Sequence, residues 1–294
     1  MKSSETMDIP RIKEPTPLQE TWYHLKKNKG AMTGLGIITM FVLMAIFAPI
    51  VSPRDPLAQQ ISERLTPMFT NGYIFGSDDL GRDMLSRLIY GARISMTIGV
   101  VSVGISLFFG IIIGVTSAYY GGTFDKIVMR LIDIMLAFPY ILLTIVIVSL
   151  LGPSLTNAMV AIGISQVPRY ARVVRASVLA EKESDYVLAE KALGAGNFEL
   201  MFLTILPNCL SPTIVQATLG VGEAILNSAG LSFLGLGAQP PTPEWGLMIA
   251  SSKQFITNAW WIVTLPGLAI LLAVLGFNLF GDGLRDILDP KMRN

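Results

Sequence analysis

Long uncharged apolar runs alternate along this chain with short polar intervals, and that pattern predicts membrane-spanning helices. Ala31 to Val51 carries no charge over 21 residues. At about 1.5 Å of rise per residue such a helix covers roughly 30 Å, the thickness of a bilayer's hydrocarbon. Its length and the long tail before it argue against a cleaved signal peptide, and no small-x-small site closes it. A second uncharged run, Ile94 to Tyr120, includes Gly110 and Gly114, spaced so that another helix can approach closely. A third, Ile134 to Leu151, follows Lys126, Arg130 and Asp133, which can sit at or snorkel to an interface. The fourth, Ser154 to about Val167, flows into Arg169, Arg172 and Arg175. The fifth, about Pro212 to Leu236, has one charge, Glu223, and the sixth runs from Trp260 to Phe280. The expectation is an all-α polytopic membrane protein with six transmembrane helices.

Composition sharpens this. The 294 residues are 52% hydrophobic and 15% charged, whereas soluble domains carry about 25% charged residues. Net charge is +1, which gives no reason to expect nucleic acid or acidic substrates. Cys209 is alone, so no intrachain disulfide can form, and His24 is the single imidazole. That excludes histidine metal clusters and Ser-His-Asp or Cys-His catalysis. The alternate loops hold 16 Lys and Arg on one side and 6 on the other. By the excess of positive charge on the inner face, both termini are expected to be cytoplasmic.

The expected domains follow. Residues 1–30 form a cytoplasmic tail in which Trp22, Tyr23 and the lysines suit an interfacial helix on lipid headgroups. Residues 31–51 form the first span and 52–93 a periplasmic loop. Residues 94–281 form the core, including a cytoplasmic loop over 168–208, and 282–294 a cytoplasmic end. There Asp282, Arg285, Asp286 and Asp289 can pair with one another.

The 168–208 loop contains Asp185-Tyr186-Val187-Leu188-Ala189-Glu190-Lys191-Ala192-Leu193-Gly194-Ala195-Gly196. Asp185 can cap a helix ending at Gly194 or Gly196, and Leu206-Pro207 breaks the approach to the fifth span. A short helix held away from the membrane suits a lever for a partner domain; a solvated loop helix without a partner is the alternative. The loop resembles the EAA signature of ABC importer permeases: Ala189 matches the middle alanine, Gly194 the glycine and Leu206-Pro207 the terminal pair, while Leu188 and Glu190 depart from it. Phe75 to Asp83 with Leu85-Ser86-Arg87 and Tyr90 to Arg93, Leu231 to Gly246, and Phe277 to Asp286 with Leu288 to Lys291 resemble the dipeptide, oligopeptide and nickel branch of that family. The segments Thr16 to Trp22 and Pro240 to Trp245 are most similar to its second dipeptide permeases.

The resemblance implies a type I ABC importer permease fold and a transport subunit for dipeptides or short peptides, with nickel or longer peptides as the alternative within the family. Implied partners are a second homologous permease, two ABC ATPases that bind the ATP and magnesium, a periplasmic or lipoprotein binding protein, and membrane lipid. The chain itself carries no Gly-x-x-x-x-Gly-Lys-Ser/Thr phosphate cradle, so it is expected to bind no cofactor and to be no enzyme. The residues implied in ATPase coupling are Tyr186, Ala189, Glu190, Ala192, Leu193, Gly194, Ala195, Leu206 and Pro207. Asp78, Asp79, Arg82, Asp83, Glu244 and Trp245 are candidates for facing the binding protein. Glu223 is costly at membrane depth and, with Gln216 and Asn227, is a translocation-path candidate; a structural pair or interhelical hydrogen bonds are the alternatives. A stand-alone secondary transporter would need its own ion-coupling residues and usually repeats.

Overall fold

The computed structural model describes residues 17–288; Thr16, Asp289 and the other residues outside that range were expected to join the tail and C-terminal features, and lie beyond what is described. Among the described residues the chain is helical, with no strand longer than isolated bridges. In order, the helices are α1 (Pro17–Lys27), α2 (Lys29–Val51), α3 (Met84–Tyr120), α4 (Gly122–Ala137), α5 (Tyr140–Leu151), α6 (Leu155–Glu181) and α7 (Asp185–Ala192). A π-wound stretch, Glu199–Ile205, runs into the single turn α8 (Leu206–Asn208), followed by α9 (Leu210–Phe233), α10 (Trp245–Ser252) and α11 (Trp261–Leu288).

Helices α2, α3 and α11 are each long and apolar enough to cross a membrane. Two bent pairs pass together: α4 with α5, bent 94°, and residues 199–208 with α9, bent 67°. By length and composition that gives three candidate spans among the described residues, or five if each bent pair is one span; the fourth of the six expected is not among them. The third expected span is broken because Pro139 disfavours helical backbone at Phe138, which adopts φ −86°, ψ 137°. The fourth, Ser154 to about Val167, is only the apolar half of α6. This helix continues through Pro168 and the three arginines to Glu181, so residues 168–181 are helix and not loop.

Helix α3 is the axis of the fold. Its 37 residues reach about 55 Å, well beyond hydrocarbon thickness. Along α6 the two backbones come close because the touching positions are small. A Cβ on Gly110 would strike Tyr170, and one on Gly114 would strike Ala171 and Val174. Ser102 Oγ donates to Met159 O at 3.1 Å and Ser106 Oγ to Gly163 O at 2.7 Å. Small residues that admit a neighbouring helix, joined by hydroxyl bonds, are how helices associate where water supplies no hydrophobic drive.

Two apolar cores sit at opposite ends of α3. At its start, Met84, Leu88 and Ile98 pack with Trp245, Ile225 and Ile262. At its end, Val115 and Ala118 pack with Val174 and Val178 of α6 and with Val187, Leu200, Met201 and Ile205.

Candidate coupling lever and passage face

The outer segment before α3 turns inward. Asp78 Oδ1 accepts from the backbone N–H of Leu80 and of Arg82, both at 2.9 Å. Its Oδ2 accepts from Arg82 Nε at 2.6 Å and lies 3.4 Å from Arg87 Nε. Asp83 caps α3 through Ser86 N–H at 2.7 Å and Ser86 Oγ at 2.6 Å. Glu244 caps α10 through the N–H groups of Gly246 and Leu247. Trp245 donates from Nε1 to Leu88 O at 3.1 Å. Asp78, Arg82, Asp83, Glu244 and Trp245 are all buried within this chain. The expectation that they face a binding protein is therefore corrected: they knit the outer cap onto α3. The exposed outer side chains are apolar instead, among them Ile61, Phe69, Ile74 and Trp260.

Asp79 is the ill-fitting member. Its Oδ1 is buried without a hydrogen bond, and the nearest cation, Arg82 Nη2, stands 3.9 Å away. Burial first, and repulsion from Asp78 second, raise its carboxyl above the usual range, with Arg82 opposing. Folding therefore favours the protonated form, and ionisation takes stability away as pH rises from the ordinary carboxylate value through the raised one. Asp79→Asn should accordingly raise the melting temperature at neutral pH and flatten that part of the pH profile. A lower melting temperature would show that Arg82 depends on Asp79.

At the opposite end of α3 lies the lever. Ser184, not Asp185, occupies the N-cap of α7, and Asp185 is its first helical residue. The helix stops at Ala192, and Gly194 takes φ +91°, a left-handed backbone that glycine adopts freely. The helix is therefore stopped by Gly194, the first of the two glycines expected to end it, and the chain folds back over Leu193–Gly196. Its return limb is π-wound, with Leu206 N–H reaching back to Met201 O, just before Pro207, which has no N–H to give. Val187 below α7, with Leu200, Met201 and Ile205 of the return limb, cements the lever to α3 and α6. Thr204 Oγ1 donates to Glu190, Tyr186 OH donates to Glu181 Oε1 at 2.7 Å, and Asn208 Nδ2 donates to Tyr186 OH at 3.0 Å.

The lever exposes apolar side chains beside Asp185, Lys191 and Glu199, which are also exposed. Leu193, 87% exposed, forms its tip, and Tyr186, Leu188, Ala189, Ala192, Gly194, Phe198 and Leu203 are exposed around it. Ala195 and Leu206 are half-buried and Pro207 is exposed. Leu188, in α7 itself, departs from the family signature and so drew no role, while Phe198 and Leu203 were missed because only the folded return limb brings them beside α7.

The three arginines of α6, helical and not in a loop, make a ladder of ion pairs. Arg169 Nη1 meets Glu223 Oε2 of α9 at 2.7 Å, Arg172 Nη2 meets Asp133 Oδ1 of α4 at 2.6 Å, and Arg175 grips Asp125 with Nε at 2.6 Å from Oδ1. Spacing of three residues places them along one side of the helix. Glu223 thus has the structural pair weighed as an alternative for it. Asn227 Nδ2 turns back to Glu223 O at 2.7 Å, and Gln216 O accepts from Tyr170 OH at 3.3 Å. The side chains of the Arg169–Glu223 pair are 49% and 38% exposed. Both charges are therefore open at the surface of this chain, where water or another protein can meet them. At the C-terminal end, no ion pair joins Asp282, Arg285 and Asp286 among the described residues; Asp286 accepts weakly from Asn28 Nδ2 at 3.4 Å.

Residues 106–294 match the family model of the binding-protein-dependent transport system inner membrane component, and residues 16–67 match the N-terminal transmembrane domain of oligopeptide transport permease C. The dipeptide transport system permease protein DppC of Haemophilus influenzae is 52% identical, over 95% of this chain and 96% of that protein. The di/tripeptide transport system permease protein DppC of Pseudomonas aeruginosa is 51% identical, over 97% and 96%. Among solved structures, an inward-facing MetNI methionine ABC transporter chain aligns with a TM-score of 0.58 at 19% identity. It covers 70% of this chain and 98% of its own length, so the all-α permease fold is shared. An all-helical chain built around long apolar helices, matched almost end to end by transport permeases, is an integral inner-membrane permease subunit and belongs to the binding-protein-dependent transport system inner membrane components.

Proposed function

We propose that this chain is one of two permease halves through which an ATP-driven importer carries dipeptides into the cell. The observation that carries the substrate is identity of 51–52% along nearly the whole chain to relatives named for dipeptide and di/tripeptide transport. The mechanism follows from the lever. Its exposed apolar side chains fit a cleft in one of two separate ATPase subunits, which bind the ATP and magnesium. Closure of the ATPase pair displaces the lever. Because its base is cemented to α3 and α6, the push passes into helices that hold α4 and α9 by ion pairs. The passage then opens alternately to each side.

The lever and both termini lie on the cytoplasmic side in this reading, with six spans counted when the apolar half of α6 is included. The periplasmic or lipoprotein binding protein docks on the exposed apolar rim near Ile61, Phe69 and Ile74, in place of the buried acidic cluster. Gln216, Glu223 and Asn227 share one side of α9, at intervals of seven and four residues, and line the passage.

The test is reconstitution with the second permease, two ATPases and the loaded binding protein. Dipeptide uptake should require ATP and should persist at zero membrane potential; uptake of nickel in place of dipeptide would overturn the substrate. Gly194→Asp is a sharper probe of coupling. A Cβ there meets nothing within 4 Å, but φ of +91° strains any L residue, so Gly194→Ala is the control that carries the same strain without the charge. Uptake should fall by about tenfold or more with assembly intact. Wild-type uptake and ATPase stimulation would refute the lever assignment.

A further inference from the structure

A cavity of about 680 Å³ lies between the end of α6, the start of α9 and the end of α11. Ser177 and Glu181 of α6, Asn208, Gln216 and Arg285 give it polar walls, with a carboxylate and a guanidinium among them. The side of α6 that borders it, Val173, Ser177 and Ala180, continues one turn toward the membrane centre to Arg169. The bordering side of α9, Pro212, Gln216 and Leu219, continues one turn to Glu223. The Arg169–Glu223 bond at 2.7 Å therefore joins the two walls just beyond the cavity. Tyr170, placed against Gly220, holds the helices together at the same level, since a Cβ on Gly220 would strike its hydroxyl. Past the pair, polar groups continue: Asn227 lies one turn further along α9, and Gln166, nearly one turn back along α6, is buried with neither Oε1 nor Nε2 hydrogen-bonded.

We propose that this cavity is an inner chamber of the passage that receives a short peptide with free termini, and that the Arg169–Glu223 pair is its closure. Glu181 and Arg285 offer the chamber one charge of each sign, the complement of an ammonium and a carboxylate on one small solute. The closure has the same chemistry. Arg169 and Glu223, half exposed, give up a direct 2.7 Å contact when they part, and a zwitterion can replace both halves of it where a neutral solute can replace neither. The ligand chemistry rests on the peptide-import reading; the closure rests on geometry alone.

Thiol labelling separates the two. Cys209 is replaced by alanine, leaving an introduced cysteine as the only thiol of this chain. The assembled complex in inside-out vesicles is treated with an impermeant cationic methanethiosulfonate. Gln216→Cys, in the chamber wall, should label readily. Asn227→Cys, beyond the pair, should be shielded, and should label when Arg169→Gln and Glu223→Gln are added. Equal labelling of Asn227→Cys with and without the charged pair, whether high or low, would overturn the closure. In the resting complex without binding protein, excess free dialanine should slow labelling of Ser177→Cys, while N-acetyl-dialanine amide should not. Protection by both, or by neither, would overturn the chamber's ligand. Should the parent complex import no dipeptide, the import reading fails while the Asn227 pattern still decides the closure.

Discussion

Asp78→Ala is expected to destabilise the outer cap more than any other single substitution there. Removing the carboxylate leaves two nearly buried guanidiniums, Arg82 and Arg87, without their main counter-charge. It also strips the N–H groups of Leu80 and Arg82 of their acceptor. Breaking a buried pair from one side costs about 3–5 kcal/mol, because the stranded charge keeps its desolvation and loses its compensation. Arg87 has some support from Pro56 O at 3.2 Å and Pro241 O at 3.5 Å, but carbonyl oxygens carry only partial charge. Asp78→Asn, which keeps an oxygen for the two N–H groups, should lose less. The check is thermal unfolding of the purified complex, with a double-mutant cycle against Arg87→Met. The cycle should show that Asp78→Ala costs less once Arg87 is gone. If Asp78→Ala melts with the parent, the buried acidic hub has no structural role.

That hub also shows where sequence reading stopped. Apolar runs were legible because a bilayer imposes a length and excludes charge. Ala31–Val51 and the start of the last span were located to within two residues, while α11 runs eight residues past the expected end at Phe280. The Gly110 and Gly114 spacing was legible because close packing needs small side chains at a helical interval, and the α3–α6 contact lies there. Asp78, Asp79, Arg82 and Asp83 were not legible. A loop rich in charge defaults to surface, and only partners distant in sequence reverse that: Arg87 reaches carbonyls 31 and 154 residues away. The nearest local signals were the capping interval from Asp83 to Ser86 and the four-residue interval from Asp78 to Arg82. Both are common enough on surfaces to pass unnoticed.

The arginine ladder failed for a related reason. Arg169, Arg172 and Arg175 raise the polarity of their segment, so hydropathy ends a span at Val167 although the helix continues for 14 residues to Glu181. Their three-residue spacing was the available clue, together with single carboxylates in neighbouring apolar segments, Asp125, Asp133 and Glu223. Pairing ties the polar half of α6 to α4 and α9. A charge that looks expensive alone is held here by a partner on the adjoining helix.

Leu193→Asp should separate stability from coupling more cleanly than any change inside the fold. Leu193 is 87% exposed at the tip of the lever, so substitution costs this chain almost nothing in burial. Its αR backbone, φ −76° and ψ −2°, suits aspartate as well as leucine. A leucine so exposed at the end of a rigid two-limbed support has its use outside the chain. Seated in an ATPase cleft it would be desolvated, and a buried anchor of this kind contributes about 2–4 kcal/mol to an interface. A carboxylate in its place adds the cost of burying an unpaired charge. The affinity of the ATPases for the permease pair should drop by roughly thirtyfold or more, and uptake should fall with it, while the melting temperature of the isolated permease pair stays at the parent value. Leu193→Met, similar in volume, should keep both. Loss of thermal stability in Leu193→Asp would mean that the tip packs within the permease pair. Retention of normal uptake would mean that the ATPase grips the lever elsewhere, with Leu188 and Leu203 the next exposed positions to vary.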